Sequence, residues 1–328
     1  MRRSASQKRR TLYLKRLMVS LLLIGALTII TLSRISAFLH PEGYTSRETL
    51  HSSALPVIGR QSVMAMSVTH TDRQITDLTQ VLPADETILS IAVPISGIPD
   101  THLLELVNRD YAVNYHPNEE LLVRVRSLVP GDLLEDPLLH ITALQALGEL
   151  FAAAAADGVG SLMVSSGYRD LAAQRLIYYT TEDKSYVMLP GYSEHHTGLA
   201  VDIMGADTTA NGFGWSQEDR WLADNAWRYG FIQRYPQNKQ QITGVAWEPW
   251  HYRYVGLPHA WFCYQYDLAL EEYIQFLRDG EGYQIDLFDT VYSVLSQFPH
   301  DDILYLPQGL SYDVSTDNTG AYIVTTWR

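Results

Sequence analysis

Apolar positions along the 328-residue chain fall into three regimes. The first is unbroken: residues 17–32 carry no charge, are hydrophobic round every face of a helix, and lie directly behind a cluster of basic side chains. At 1.5 Å per residue such a helix spans roughly 25 Å, near the lower limit for crossing a bilayer, and hydrophobicity on all faces argues against a core helix. The second regime, residues 41–90, places Ser or Thr at thirteen of fifty positions and shows only weak apolar periodicity, as in a polar spacer. In the third, from about Ile91 onward, helical and alternating patterns sharpen.

Several elements can be read in that third regime. Asp136 and Pro137 supply an N-cap and a first-turn proline for a helix whose apolar face runs through Ile141, Leu144, Leu147 and Phe151 and closes at Asp157-Gly158. Residues 162–164 read as a strand, and Asp170 caps a helix through Gln174 and Tyr178. Ser216-Gln217-Glu218-Asp219 is a variant capping box, and its helix ends at Tyr229-Gly230. A strand over 231–235, a helix over 268–277 and short β-prone runs at 303–306 and 322–327 follow. Strands and helices intermix without regular βαβ alternation, which predicts an α+β fold with a small antiparallel sheet flanked by helices.

Charge adds an orientation. The net −13 hides an asymmetry: residues 1–16 hold seven basic and no acidic side chains, leaving 17 basic against 37 acidic, or −20, for the rest. The body is therefore not built to hold nucleic acid. The positive-inside rule makes 1–16 a cytoplasmic tail and 17–33 a transmembrane anchor or uncleaved signal, with everything after Arg34 outside. Ile35-Ser36-Ala37 is a poor cleavage site, which favours a single-pass protein of the cell membrane over a secreted one. The expected organisation is then a spacer over 34–90, a chemistry-bearing domain over 91–279 and a β-rich accessory segment over 280–328.

Cys263 is the single cysteine, so internal disulfides and thiolate zinc sites are excluded and His, Asp and Glu remain as ligands. Two segments stand out. In Ser193-Glu194-His195-His196-Thr197-Gly198-Leu199-Ala200-Val201-Asp202-Ile203, apolar Leu199, Val201 and Ile203 alternate with Ala200 and Asp202. Asp202 is thus aimed from a strand with one buried face, and Gly198 offers the bend that brings His195 to the same side. In Trp247-Glu248-Pro249-Trp250-His251-Tyr252-Arg253, Pro249 interrupts strand pairing and lets Glu248 and His251 converge. Two imidazoles and a carboxylate give the ligand count of catalytic zinc, with Glu248 as a spare carboxylate for proton transfer. Either segment alone reads better as hydrogen-bonded core histidines and a turn aspartate than as a metal site.

Taken together, Ser-x-His-x-x-Gly-x-Ala-x-Asp at 193–202, Glu-Pro-Trp-His-Tyr-Arg at 248–253 and Ser-Gly-Tyr-Arg at 166–169 resemble the zinc D-Ala-D-Ala carboxypeptidases of the VanY type, over roughly residues 103–277. The resemblance implies one zinc ion held by His195, Asp202 and His251, with Glu248 as general base and then acid. It also implies Arg169 facing the substrate oxyanion, Ser193 near the terminal carboxylate and Gln174 in the pocket. Position 170 departs from the family's frequent Ser, and His196 and His259 are spare imidazoles, the latter taken as structural or exposed. The implied substrate is a peptidoglycan peptide ending in D-Ala-D-Ala. The alternatives are a D,D-dipeptidase, a stem-peptide endopeptidase, or a zinc-containing module without catalysis. None of the four lysines follows a serine by three positions, and no His-Glu-x-x-His occurs, which argues against penicillin-binding serine enzymes and thermolysin-like proteases.

Overall fold

Leu144, Leu147, Leu150 and Phe151 recur on one face of a helix, and that face builds the main core. A computed structural model describes residues 64–66, 90–129, 136–159, 162–205, 214–280 and 282–328. The expected basic tail and anchor lie outside these residues, and no helix among the described residues is long and apolar enough to cross a membrane.

Among the described residues thirteen strands run in chain order: β1 (Met64–Met66), β2 (Ser90–Pro94), β3 (Leu122–Arg124), β4 (Leu138–His140), β5 (Leu162–Ser166), β6 (Ala200–Gly205), β7 (Phe231–Tyr235), β8 (Glu248–Tyr254), β9 (Tyr283–Leu287), β10 (Thr290–Gln297), β11 (Ile303–Pro307), β12 (Ser311–Thr316) and β13 (Tyr322–Trp327). The main helices are α1 (Ile141–Ala156), α2 (Leu171–Thr180), α3 (Gln217–Asn225), α4 (Leu257–Gln265) and α5 (Leu270–Arg278). Strands β5, β6, β8 and β7 form, in that order, a four-stranded antiparallel sheet. α1 packs on the face of this sheet that carries Val164, Val201, Ile203 and Tyr252. Each fully buried leucine contributes about 1.5–3 kcal/mol of transfer free energy to that contact.

The α+β architecture with a small antiparallel sheet is as the sequence predicts, but α1 starts later than its capping residues suggest. Its N-cap is His140, whose ring accepts from the Thr142 N–H, because residues 138–140 pair with β3 as a short strand. Asp136 instead accepts from the Arg126 N–H. The other caps follow expectation: Asp170 accepts from Ala173 N–H at 2.7 Å, Ser216 and Asp219 close a capping box, and Gly230 ends its turn at φ 78°.

A second core joins α4 and α5 to the C-terminal strands through Trp261, Phe262, Tyr273, Tyr283 and Ile323. The accessory segment is thus fused to the domain by shared packing. Strands β1, β9, β10, β13 and β12 form its sheet, so Met64–Met66, inside the stretch read as spacer, pairs in parallel with β9. His259 lies in this interface, 4% exposed, with Nδ1 2.6 Å from the Tyr273 hydroxyl and Nε2 3.1 Å from the Thr325 hydroxyl. It is structural, and burial pushes its pKa down to about 3.

Candidate metal centre

The register of two strands decides the site. β6 and β8 run antiparallel with Asp202 directly opposite His251, and the Asp202 Oδ1 lies 3.1 Å from the His251 Nδ1. His195 precedes β6 in a short 3-10 turn, Glu194–Thr197. Gly198 ends the turn at φ 69°, in the left-handed region, and turns the chain so that His195 Nε2 comes 3.5 Å from the same carboxylate. One candidate ligand atom from each of His195, Asp202 and His251 lies within 4.8 Å of the others.

Glu248 arrives by the break that Pro249 predicts. The β7–β8 ladder pairs Gln233 with Tyr252 and then Tyr235 with Glu248, so β8 carries extra residues across from Arg234. This irregularity brings Glu248 Oε2 3.8 Å from His251 Nδ1. Burial pushes the Glu248 carboxyl up to about 8, close to the range in which a carboxyl both takes and returns a proton near neutrality.

The donor set fits a zinc ion. His195 Nδ1–H donates to the Gly167 carbonyl at 2.7 Å, which fixes the tautomer and leaves Nε2 buried without a hydrogen bond, facing Asp202. Burial and the Arg169 charge push this imidazole down to about 4, so it is neutral and its lone pair is free. On Asp202 burial acts upward, but His195 and His251 hold the carboxyl well below the usual range. For His251 burial acts downward, yet hydrogen bonds to Asp202 and Glu194 outweigh it and raise the ring to about 9. A cation is therefore wanted at this point, and a divalent ion on Nδ1 would displace the proton.

Beside the fully buried Arg234 and Arg253, Arg169 is half-buried and is the one left unbonded. Arg234 makes a paired bond to Glu271, at 2.8 and 2.7 Å, and a further bond to Glu194 at 2.8 Å. Arg253 bonds Glu194 at 3.0 Å and the carbonyls of Leu103 and Glu105. The Arg169 guanidinium has no hydrogen bond among the described residues, its Nε is buried without a partner, and its electrostatic neighbours are Asp202 and Glu248. A half-buried cation with spare donors beside the candidate cluster has the chemistry to meet an anion.

Of the other expected site residues, Ser193 is buried at the start of the ligand turn, and its hydroxyl has no hydrogen-bond partner among the described residues. Gln174 is 1% exposed and donates from Nε2 to the Met188 carbonyl at 2.7 Å, leaving Oε1 buried and unpartnered. Sequence reasoning missed Glu194, whose Oε2 lies 3.3 Å from His251 Nε2. Burial alone would raise this carboxyl, but Arg234 and Arg253 hold it well below the usual carboxylate range. Its signal was the acid between Ser193 and His195 in the motif, which strand periodicity leaves unassigned.

A family model for VanY-type D-alanyl-D-alanine carboxypeptidases matches residues 136–257, which contain Arg169, Gln174, Ser193, Glu194, His195, Asp202, Glu248 and His251. The D-alanyl-D-alanine carboxypeptidase of Enterococcus faecium is 32% identical over 229 residues, covering 68% of this chain and 74% of the relative. This chain belongs to the VanY family. A second family relative, the D-alanyl-D-alanine carboxypeptidase of Enterococcus faecalis, is 45% identical over 146 residues, covering 39% of this chain and 52% of its own length. Among solved structures, the D,D-dipeptidase VanXYg in complex with a phosphinate analogue of D-Ala-D-Ala matches at a TM-score of 0.58 and 28% identity, over 73% of this chain and 99% of its own. VanY membership makes the chain a peptidase and gives the cluster of His195, Asp202 and His251 a hydrolytic context.

Proposed function

We propose that this chain is a zinc-dependent D-alanyl-D-alanine carboxypeptidase that removes the terminal D-Ala from peptidoglycan pentapeptides. The observation that carries the reading is the juxtaposition of a half-buried arginine with an unbonded guanidinium and a raised carboxyl with a cluster of two imidazoles and one carboxylate. His195 through Nε2, Asp202 through its carboxylate and His251 through Nδ1 would hold one zinc ion. When bound, that ion supplies Lewis acidity toward the scissile carbonyl and lowers the pKa of a water molecule.

The protein's own groups then divide the work. Glu248 takes a proton from the attacking water and returns it to the amine of the departing D-Ala as the C–N bond breaks. Arg169 faces the negative charge that develops on the carbonyl oxygen, and its guanidinium needs no reorganisation because no protein acceptor competes for it. The free Ser193 hydroxyl is assigned to the terminal carboxylate, and Gln174 Oε1 to an amide donor of the substrate.

Residues 17–33 are proposed as a single-pass anchor that holds the domain outside the cell, where pentapeptide ends are found. The test is D-Ala release by the full chain in detergent from a pentapeptide ending in D-Ala-D-Ala, with free D-Ala-D-Ala and intact peptidoglycan as parallel substrates. Chelator-sensitive, penicillin-insensitive release of one D-Ala is expected. Preference for the free dipeptide would make it a dipeptidase, internal cleavage an endopeptidase, and no hydrolysis by zinc-loaded protein a binding module.

A further inference from the structure

Arg169 has no side-chain partner to hold its guanidinium, so its placement is inherited from its main chain. That main chain is clamped by two consecutive histidines. The Arg169 N–H donates to the His195 carbonyl at 3.1 Å, and the Arg169 carbonyl accepts from His196 Nδ1–H at 2.6 Å. The loop is closed behind by the Tyr168 N–H, which donates to the Leu138 carbonyl at 2.7 Å, and a Cβ at Gly167 would collide with that same carbonyl.

His196 is also joined to a second segment. Its Nε2 accepts from the Gly191 N–H at 3.0 Å, and its backbone N–H donates to the Ser193 carbonyl at 3.1 Å. His196 is 1% exposed, and both of its ring nitrogens are engaged with backbone groups, one as donor and one as acceptor. It therefore cannot coordinate the same metal as His195, and it needs no charge to do what the geometry shows. The dipeptide His195-His196 splits two tasks between adjacent imidazoles.

We infer that His196 is a positioning residue that fixes Arg169 and the 191–193 loop relative to the metal ligands, so that anion recognition and metal binding are held as one unit. This rests on the assignment of Arg169 to the anionic part of the substrate. The physical warrant is that a guanidinium held by backbone alone moves with its loop, and a displacement of about 1 Å in a catalytic group costs on the order of 100-fold in rate. The two hydrogen bonds to the His196 ring are what an alanine would remove. Asparagine, which carries both a donor and an acceptor, restores part of the clamp.

The test is a double-mutant cycle on the zinc-loaded full chain, read by kcat, by KM and by the dissociation constant of a D-Ala-D-Ala phosphinate, whose tetrahedral anion stands in for the intermediate. His196→Ala is expected to retain stoichiometric zinc, lower kcat more than it raises KM, and weaken phosphinate binding about tenfold. In an Arg169→Ala background the same substitution should change phosphinate affinity less than about twofold, because the group it positions is gone. His196→Asn should recover part of the lost affinity. An equal loss in both backgrounds, a His196→Ala variant with wild-type kcat and phosphinate affinity, or loss of zinc from it would overturn the inference. If Arg169→Ala alone leaves phosphinate affinity unchanged, the role of Arg169 fails instead, and that outcome is read from the single variant before His196 is considered.

Discussion

The carboxylate of Glu194 meets the imidazole of His251 at 3.3 Å through Nε2, the nitrogen that does not face Asp202. Because Nε2–H is committed to Glu194, Nδ1 is the nitrogen left for a metal, and the ring plane is set before any ion arrives. Glu194 is itself held by Arg234 and Arg253, and Arg234 reaches on to Glu271 in α5. The ligand geometry is thus tied by charge to the second core of the molecule.

Glu194→Gln removes one charge from this network and weakens the acceptor for His251. Zinc affinity, measured by chelator competition, should fall about 10- to 100-fold. Unfolding by urea should show a loss of roughly 3–5 kcal/mol, because two buried arginines then share fewer counter-charges. Unchanged zinc affinity would mean that His251 is oriented by Asp202 alone.

Glu248 and His251 lie 3.8 Å apart but should separate cleanly by function. Glu248→Ala is expected to keep zinc and lose about 100- to 10,000-fold in kcat, the range for a missing acid–base group. His251→Ala should lose metal and activity together. Metal analysis beside turnover measurements distinguishes the two, and a zinc-replete, inactive His251→Ala protein would refute the ligand set.

Gly198 sits at φ 69°, and a Cβ there would approach Leu122 Cδ2 at 3.0 Å and the His140 nitrogen at 3.2 Å. Gly198→Ala should therefore destabilise the fold by about 1–2 kcal/mol from backbone conformation alone. Since the bend carries His195, zinc should also bind more weakly. A variant with wild-type stability would show that the turn tolerates a side chain.

His259 has a folded pKa of about 3, lowered by burial, against an ordinary value near 6.5. Its contribution to stability is complete above pH 6.5. As pH falls below that value the unfolded chain takes up a proton that the native imidazole refuses, and stability drops by about 1.4 kcal/mol per pH unit toward pH 3. Comparing wild type with His259→Gln by urea unfolding at pH 7.5 and 5.5 isolates this residue. The wild type should lose about 1.4 kcal/mol more than the variant over that interval. Equal losses would place the acid sensitivity elsewhere.

The sequence by itself determined the α+β class of fold and which residue types gather at the candidate site. Alternation through Leu199, Val201 and Ile203 fixed which way Asp202 points, Gly198 and Pro249 marked the two places where regular backbone must break, and the motif spacings carried the family resemblance. These are local properties, written in period and in the backbone limits of glycine and proline. Tertiary structure decided what depends on partners distant in the chain. The start of α1 shifted because 138–140 pair with β3, a competition that local capping signals do not register. Arg234, Arg253 and Arg169 look alike as residues, yet only the fold leaves the third without an acceptor. The roles of Glu194 and His196 likewise appear only when strands β7 and β8 and the 167–169 loop close around the ligand turn. A hydrogen bond across dozens of residues has no periodic signature, and its partner exists only once the chain has folded.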